Sequence, residues 1–288
     1  MTAPAKLALH HVGKQFSMRA NRTQSRGQQR ARRLVALQDI TLEIPAGEFL
    51  VLVGPSGSGK TTLLDLLAGL STPSAGEILV DGAPITGPGR DRAVVFQQYA
   101  LLPWRSALAN IEFALEGSGL RRRERRRRAR EFLDLVGLSA FADRYPHELS
   151  GGMKQRVAIA RSLAYDPDIL LMDEPFAALD AQTREQLQDE LLRIWRTTGK
   201  TVVFITHSID EAVYLGQRVA VLSSRPGRLK ALVEIDLGDR SSAADLRSSA
   251  EFGHYRHQVW SLLHGEVLRA QAAGHLKIQP DGTEKAAS

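Results

Sequence analysis

The sequence predicts an α/β fold: a parallel sheet with helices on its faces, interrupted by an inserted α-helical subdomain. Three observations carry this. Short apolar runs (GEFLVLVG, DILLMD, TVVFIT and VAVLSS) recur between stretches of helical spacing, as strands buried on both faces do. Residues 105–165 change character, with Leu, Ala, Arg and Glu dominating and helical apolar spacing throughout. A glycine-rich segment joins the first buried run to the first helix. The 43% apolar and 24% charged content of the 288 residues excludes wholesale disorder.

Taken in order, LALHHV at 7–12 reads as a strand, and ITLEI at 40–44 alternates as a strand should. Between them, residues 17–33 are rich in Arg, Gln and Ser without periodicity and are expected to form a basic loop. GEFLVLVG at 47–54 is a buried strand, and TTLLDLLAGL at 61–70 is a helix ending near Gly69. GEILVDG at 76–82 and AVVFQ at 93–97 are strands. After the helical insert come the strand DILLMD at 168–173, the helix 181–197, and the strands TVVFIT at 201–206 and VAVLSS at 219–224. Beyond 230 the pattern weakens. Phe252, Tyr255, Val259, Leu262, Leu263 and Val267 predict one late amphipathic helix, and the last ten residues are expected to fray. The division expected is a domain over 5–230 and a C-terminal extension over 231–288.

Net charge is +6, but its distribution matters more. Residues 17–33 hold six Arg and no acid, and 121–130 (RRRERRRRAR) carry +7, so the remainder is −7. Neither basic block contains an aromatic, which argues against specific nucleic-acid binding. No stretch approaches ~18 consecutive apolar residues, so no membrane-spanning helix is expected. The start MTAPAKLALHHV lacks the long apolar segment of a secretory signal. The absence of cysteine excludes disulfides, Cys-ligated zinc and a thiol nucleophile, and fits a cytosolic setting.

Residues 54–61 read GPSGSGKT, a match to the phosphate-loop pattern between a predicted strand and a predicted helix. A triphosphate needs several donors converging without side-chain obstruction. Gly54, Gly57 and Gly59 let the chain curl so that backbone N–H groups point inward, past Pro55, Ser56 and Ser58. The helix that follows, through Thr62, adds its positive end. Lys60 is placed to reach the β- and γ-phosphates, and the Thr61 hydroxyl to ligate Mg²⁺. This predicts a P-loop NTPase core.

A P-loop requires a further acid from a neighbouring strand, and Asp173 ends the run DILLMD. Its expected role is Mg²⁺ binding through water, with the adjacent Glu174 polarising the attacking water. His207 follows TVVFIT in the same manner, which points to the γ-phosphate, although a lone His is more often structural. Gln97, ending AVVFQ, has the same logic as a metal and water ligand. Ser150, Gly151 and Gly152 open the helix LSGGMKQRVAIARSLA; chemistry alone allows a helix cap or a second anion site.

With GPSGSGKT, LSGGMKQR, ILLMDEP, the following ALD and THS in this order, residues 5–228 resemble the nucleotide-binding subunit of ATP-binding-cassette transporters. The resemblance implies a mixed sheet, an antiparallel β subdomain, and a head-to-tail homodimer holding two ATP. It implies that Ser150, Gly151 and Gly152 act on ATP held by the partner, and that Asp180 couples the two sites. It makes Gln97 the Q-loop residue and Glu174 the catalytic base, and Phe16 is the best match for the aromatic that stacks on adenine. Met153 replaces the signature Gln, and Ser58 stands where Cys is common; neither threatens ATPase chemistry. The segments 87–104, 176–195 and 221–228 (VLSSRPGR) are similar to nitrate, sulfonate and taurine importer subunits. The implied partners are a transmembrane permease dimer and, indirectly, a periplasmic or extracellular substrate-binding protein. The implied location is the cytoplasmic face of the membrane.

The alternatives are a non-transport cassette ATPase or an exporter motor. A single cassette disfavours a translation factor, and about ninety residues between phosphate loop and signature leave no room for a repair ATPase's coiled coil. Leu101, Leu102, Pro103 and Trp104 form an apolar cluster after Gln97 that is either buried or a groove for a permease coupling helix. The arginine block 121–128 is either a solvated helix face or a contact for anionic lipid headgroups.

Overall fold

The computed structural model describes residues 5–18, 32–238 and 246–275. The first four elements in chain order are β1 (Ala5–Met18), β2 (Arg32–Pro45), β3 (Phe49–Val53) and α1 (Lys60–Leu67). Three strands follow, β4 (Ala75–Val80), β5 (Ala83–Pro84) and β6 (Arg92–Val95). The insert contains α2 (Ala107–Ala114), α3 (Arg122–Leu135) and α4 (Gly151–Ala164). The chain then continues through β7 (Ile169–Asp173), α5 (Ala181–Thr198), β8 (Thr201–Ile205), α6 (Ile209–Leu215) and β9 (Arg218–Leu222). It closes with β10 (Leu229–Glu234) and α7 (Ala250–His275).

Two sheets result. The larger has the order β10-β9-β3-β8-β7-β6, parallel except for the antiparallel edge strand β10. The smaller, β2-β1-β4-β5, is antiparallel throughout. The architecture is thus α/β with a mixed sheet, an antiparallel sheet and a helical insert, as expected.

The five residues of β3 are all buried because each of its faces has its own core. Leu50 and Leu52 join α1 and the inner face of the antiparallel sheet, including Leu7, Leu9, Leu37 and Ile40. Phe49, Val51 and Val53 face the opposite core, which is continuous with the helical insert through Leu108, Ile111, Leu133 and Val157. α1 is therefore clamped between two sheets, and the loop preceding it is held at both ends.

Residues 17–33 were expected to be a loop, but both ends are strand: Ser17 pairs with Arg33 and Met18 with Arg32. Polar strand ends that extend beyond the core carry no hydrophobic alternation, so pairing is the only signal, and it is non-local. Residues 19–31 of that segment, and the terminal ten residues, lie outside the described residues.

The position 230 chosen as a boundary falls within β10, which the sequence reading missed because an exposed edge strand alternates only weakly. Phe252 and Val259 of α7 are buried in the same core as α6 and β9. Phe252→Ala is expected to cost about 3–5 kcal/mol, lowering Tm by roughly 10 °C for a chain of this size. A thermal melt that matches wild type would show that α7 is not docked on the sheet.

Candidate functional site

The phosphate loop leaves β3 and enters α1 with Gly59 at φ +91°. A Cβ on Gly59 would stand 2.7 Å from Leu37 Cδ2 and 3.1 Å from Ala36 O, so both conformation and space demand glycine. Gly59 offers no side-chain cap, which leaves the first-turn N–H groups of α1 available to an anion. Lys60 is buried, and its Nζ donates to Gly54 O at 2.8 Å and Pro55 O at 3.2 Å. Burial pushes its ammonium below the ordinary lysine value, against the pull of Glu174 and Asp173. Ser58 is fully buried, and its Oγ has no hydrogen-bond partner among the described residues.

The strands β3, β7, β8 and β9 are parallel, so their carboxyl ends open on one edge. Asp173 is the last residue of β7 and accepts from Thr61 Oγ1 at 3.2 Å. Burial holds its carboxyl above the usual range, opposed by that hydrogen bond. Glu174 has φ +45°, a left-handed conformation that costs a non-glycine residue about 1–3 kcal/mol. Its N–H donates to Ile205 O at 3.0 Å, tying it to the end of β8. His207 Nδ1 lies 3.1 Å from Glu174 Oε2. Just before His207, Thr206 Oγ1 donates to the buried Glu211 at 2.5 Å and accepts from Ser208 N at 2.9 Å, fixing the turn.

A cleft of about 500 Å³ joins the phosphate loop to Glu174 and His207; Asp173 does not line it and reaches it only through Thr61. Its walls include Gly54, Ser56, Gly57, Gly59, Lys60, Thr61 and Thr62 with Glu174 and His207. Leu34, Ala36 and Arg225 also line it, and sequence reasoning missed all three. In the run VLSSRPGR, the signal that could have found Arg225 is an Arg that closely follows an apolar strand.

Other predicted residues are not in this cleft. Phe16, 42% exposed, pairs with Leu34 across β1 and β2 but does not line the cleft; Lys14 Nζ stands 5.3 Å from its ring. Gln97 is exposed, two residues beyond the end of β6. Ser150 caps α4 by accepting from Met153 N at 3.3 Å. Gly152 packs so closely on α5 that a Cβ would meet Thr183 Cγ2 at 2.6 Å. Asp180 caps α5, accepting from Thr183 N at 2.9 Å, and that backbone donor holds its carboxyl below the usual range. Gly152 and Asp180 therefore both adjoin Thr183 in the first turn of α5, and neither lines the cleft.

The donor set fits a nucleoside triphosphate and Mg²⁺. Uncapped N–H groups and a buried ammonium suit phosphate oxygens, and paired hydroxyl and carboxylate oxygens suit a hard cation. A phosphate cradle on a mixed sheet, with two acids and a histidine at its edge, defines a nucleotide-hydrolysing P-loop ATPase. The ABC transporter family model matches residues 37–177. An uncharacterized ABC transporter ATP-binding protein of Methanocaldococcus jannaschii is 52% identical over 92% of this chain and 94% of its own length. The nitrate import ATP-binding protein NrtD of Synechocystis is 51% identical, over 81% of this chain and 89% of NrtD. The taurine import ATP-binding protein TauB of Rhizobium johnstonii is 49% identical, over 82% and 92%. Among solved structures, the dimeric ATP-binding cassette MJ0796 bound to ADP and Pi superposes with a TM-score of 0.67 at 34% identity, covering 80% of this chain and 99% of that one. The chain belongs to the ABC transporter family, as an ATP-binding subunit with ATPase activity.

Proposed function

We propose that the chain is the ATP-hydrolysing subunit that energises a membrane importer for taurine and other aliphatic sulfonates, or for nitrate. The observation that carries the ATPase part is the single cleft holding Lys60, Thr61, Glu174 and His207. The import part rests on likeness to NrtD and TauB.

In this reading the backbone of Gly54, Pro55, Ser56, Gly57, Ser58, Gly59, Lys60, Thr61 and Thr62 cradles the phosphates, and the Lys60 ammonium neutralises the β/γ oxygens. Thr61, Asp173 and Gln97 would hold Mg²⁺, which supplies charge neutralisation at the transferred phosphoryl group. Glu174 takes the proton of the attacking water, and His207, held by Glu174, faces the γ-phosphate. Phe16 does not itself line the cleft, but its cross-strand partner Leu34 does, and from that edge Phe16 would stack on adenine. Ser150, Gly151, Gly152 and Asp180 serve the partner's ATP in a homodimer, which their position on α4 and α5, away from this chain's own cleft, supports.

No described helix is long and apolar enough to cross a membrane. Attachment to the permease dimer at its cytoplasmic face therefore needs a surface, and Trp104 supports one. Instead of joining the core it is 71% exposed. The buried Asn110 holds the turn beneath it, accepting from Leu102 N at 2.8 Å and donating to the carbonyls of Leu102, Arg105 and Ser106. Ala107 N and Leu108 N donate to Arg144 O and Ala142 O, bringing the 139–148 loop alongside. That loop borders a groove of about 570 Å³, which Trp104 does not line but adjoins through these hydrogen bonds.

Trp104→Ala is expected to leave Tm and the basal ATPase of the isolated chain nearly unchanged, as exposed substitutions do. Permease-stimulated ATPase should fall by ~30-fold or more at limiting permease, corresponding to the ~2 kcal/mol of an aromatic anchor. Normal stimulation would reject Trp104 as a docking residue. The function itself is tested in proteoliposomes containing the permease: binding protein loaded with taurine or nitrate should stimulate ATP hydrolysis, and stimulation by neither rejects the proposed cargo.

A further inference from the structure

The loop after β9 carries a cation that the chemistry above leaves unused. Arg225 lines the nucleotide cleft, and its Nη2 is 3.3 Å from where a Cβ on Gly57 would stand. No acid among the described residues pairs with it. Its loop is nonetheless firmly held. Gly227 N donates to Ala36 O and Gly227 O accepts from Gln38 N, each at 2.9 Å. A Cβ on Gly227 would stand 2.0 Å from Ser58 O, so the loop lies directly against the phosphate loop. From the other side, the buried Glu266 of α7 accepts from Ser224 N at 2.9 Å and Ser224 Oγ at 3.2 Å. The C-terminal helix thereby braces the segment that presents Arg225.

Strand order gives the cation its place. In the order β9-β3-β8-β7, Glu174 and His207 emerge on one flank of the phosphate loop. Arg225 emerges on the other, beside Leu34 and Ala36 of β2. The flank with Glu174 belongs to the attacking water and hence to the γ-phosphate. The opposite flank is left for the nucleoside half, where Arg225 stands with Leu34, the cross-strand partner of Phe16. We infer that Arg225 is a nucleotide-binding residue that grips the α-phosphate and purine end of ATP. A guanidinium suits both parts, pairing with phosphate oxygens and stacking on a flat ring. This rests on the ATPase reading above.

The test is calorimetric titration of the full chain and of Arg225→Ala with ATP and with ADP. Both nucleotides carry the α-phosphate and purine, so both should weaken by the same factor, about tenfold or more, with Tm unchanged. A loss for ATP that spares ADP would move the contact to the γ-phosphate and overturn the inference, as would unchanged affinity for both. Should the alanine variant melt early, Arg225→Gln, which keeps most of the stem, decides by the same criteria. Wild-type chain that bound neither nucleotide would overturn the ATPase reading itself. Wild-type binding with an unaffected variant overturns the role of Arg225 alone.

Discussion

Lys60→Ala should reduce ATP turnover about 10²–10³-fold, the scale seen when a preorganised charge aimed at the transition state is removed. The ammonium is buried at the base of the loop and, among the described residues, donates to two neutral carbonyls, Gly54 O and Pro55 O. Burial has already stripped much of its water, so a polyanion meets a cation with little left to desolvate. Neither Asp173 nor Glu174 takes it up in a salt bridge. Both contribute only a longer-range pull that raises its pKa, and so they leave the charge directed at the cleft. Alanine removes the charge, and the two carbonyls lose a donor. Phosphate release at saturating ATP measures the first effect, and a thermal melt separates it from the second. Turnover within tenfold of wild type in a well-folded variant would falsify the assignment.

Glu174→Gln should bind ATP yet hydrolyse it about 10²–10⁴-fold more slowly, the usual contribution of a general base. The substitution keeps volume and the backbone donor to Ile205 O, so the left-handed turn at Glu174 persists. The amide retains an oxygen for His207 Nδ1 but cannot accept the proton of water. With ATP bound and unhydrolysed, the closed homodimer should accumulate and appear by size-exclusion chromatography in ATP and Mg²⁺. Hydrolysis at the wild-type rate would remove Glu174 from the base role. A slow but strictly monomeric variant would count against the dimer instead.

The chain order of elements and the phosphate loop were legible in advance because their signals are local. GPSGSGKT states its own conformational needs, and the buried strands of the large sheet's centre declare themselves as unbroken apolar runs. Asp173 could be placed at the sheet edge for the same reason, since it ends such a run. Where the signal was weak, the reading failed. The polar ends of β1 and β2 passed for loop, and the edge strand β10 went unread.

Exposure and neighbourhood were a different matter. Trp104 reads equally as core or surface in a string of letters, and only the turn held by Asn110 puts it outside. The sequence by itself determined the phosphate-binding chemistry and most of the strands and helices, because backbone conformation and burial on two faces are written over a few consecutive residues. Tertiary structure alone decided that Leu34, Ala36 and Arg225 share one cleft with Lys60, and that Glu266 of α7 braces the loop beside it. Those contacts depend on strand order and on the packing of one sheet over another, which bring together residues with no sequence proximity.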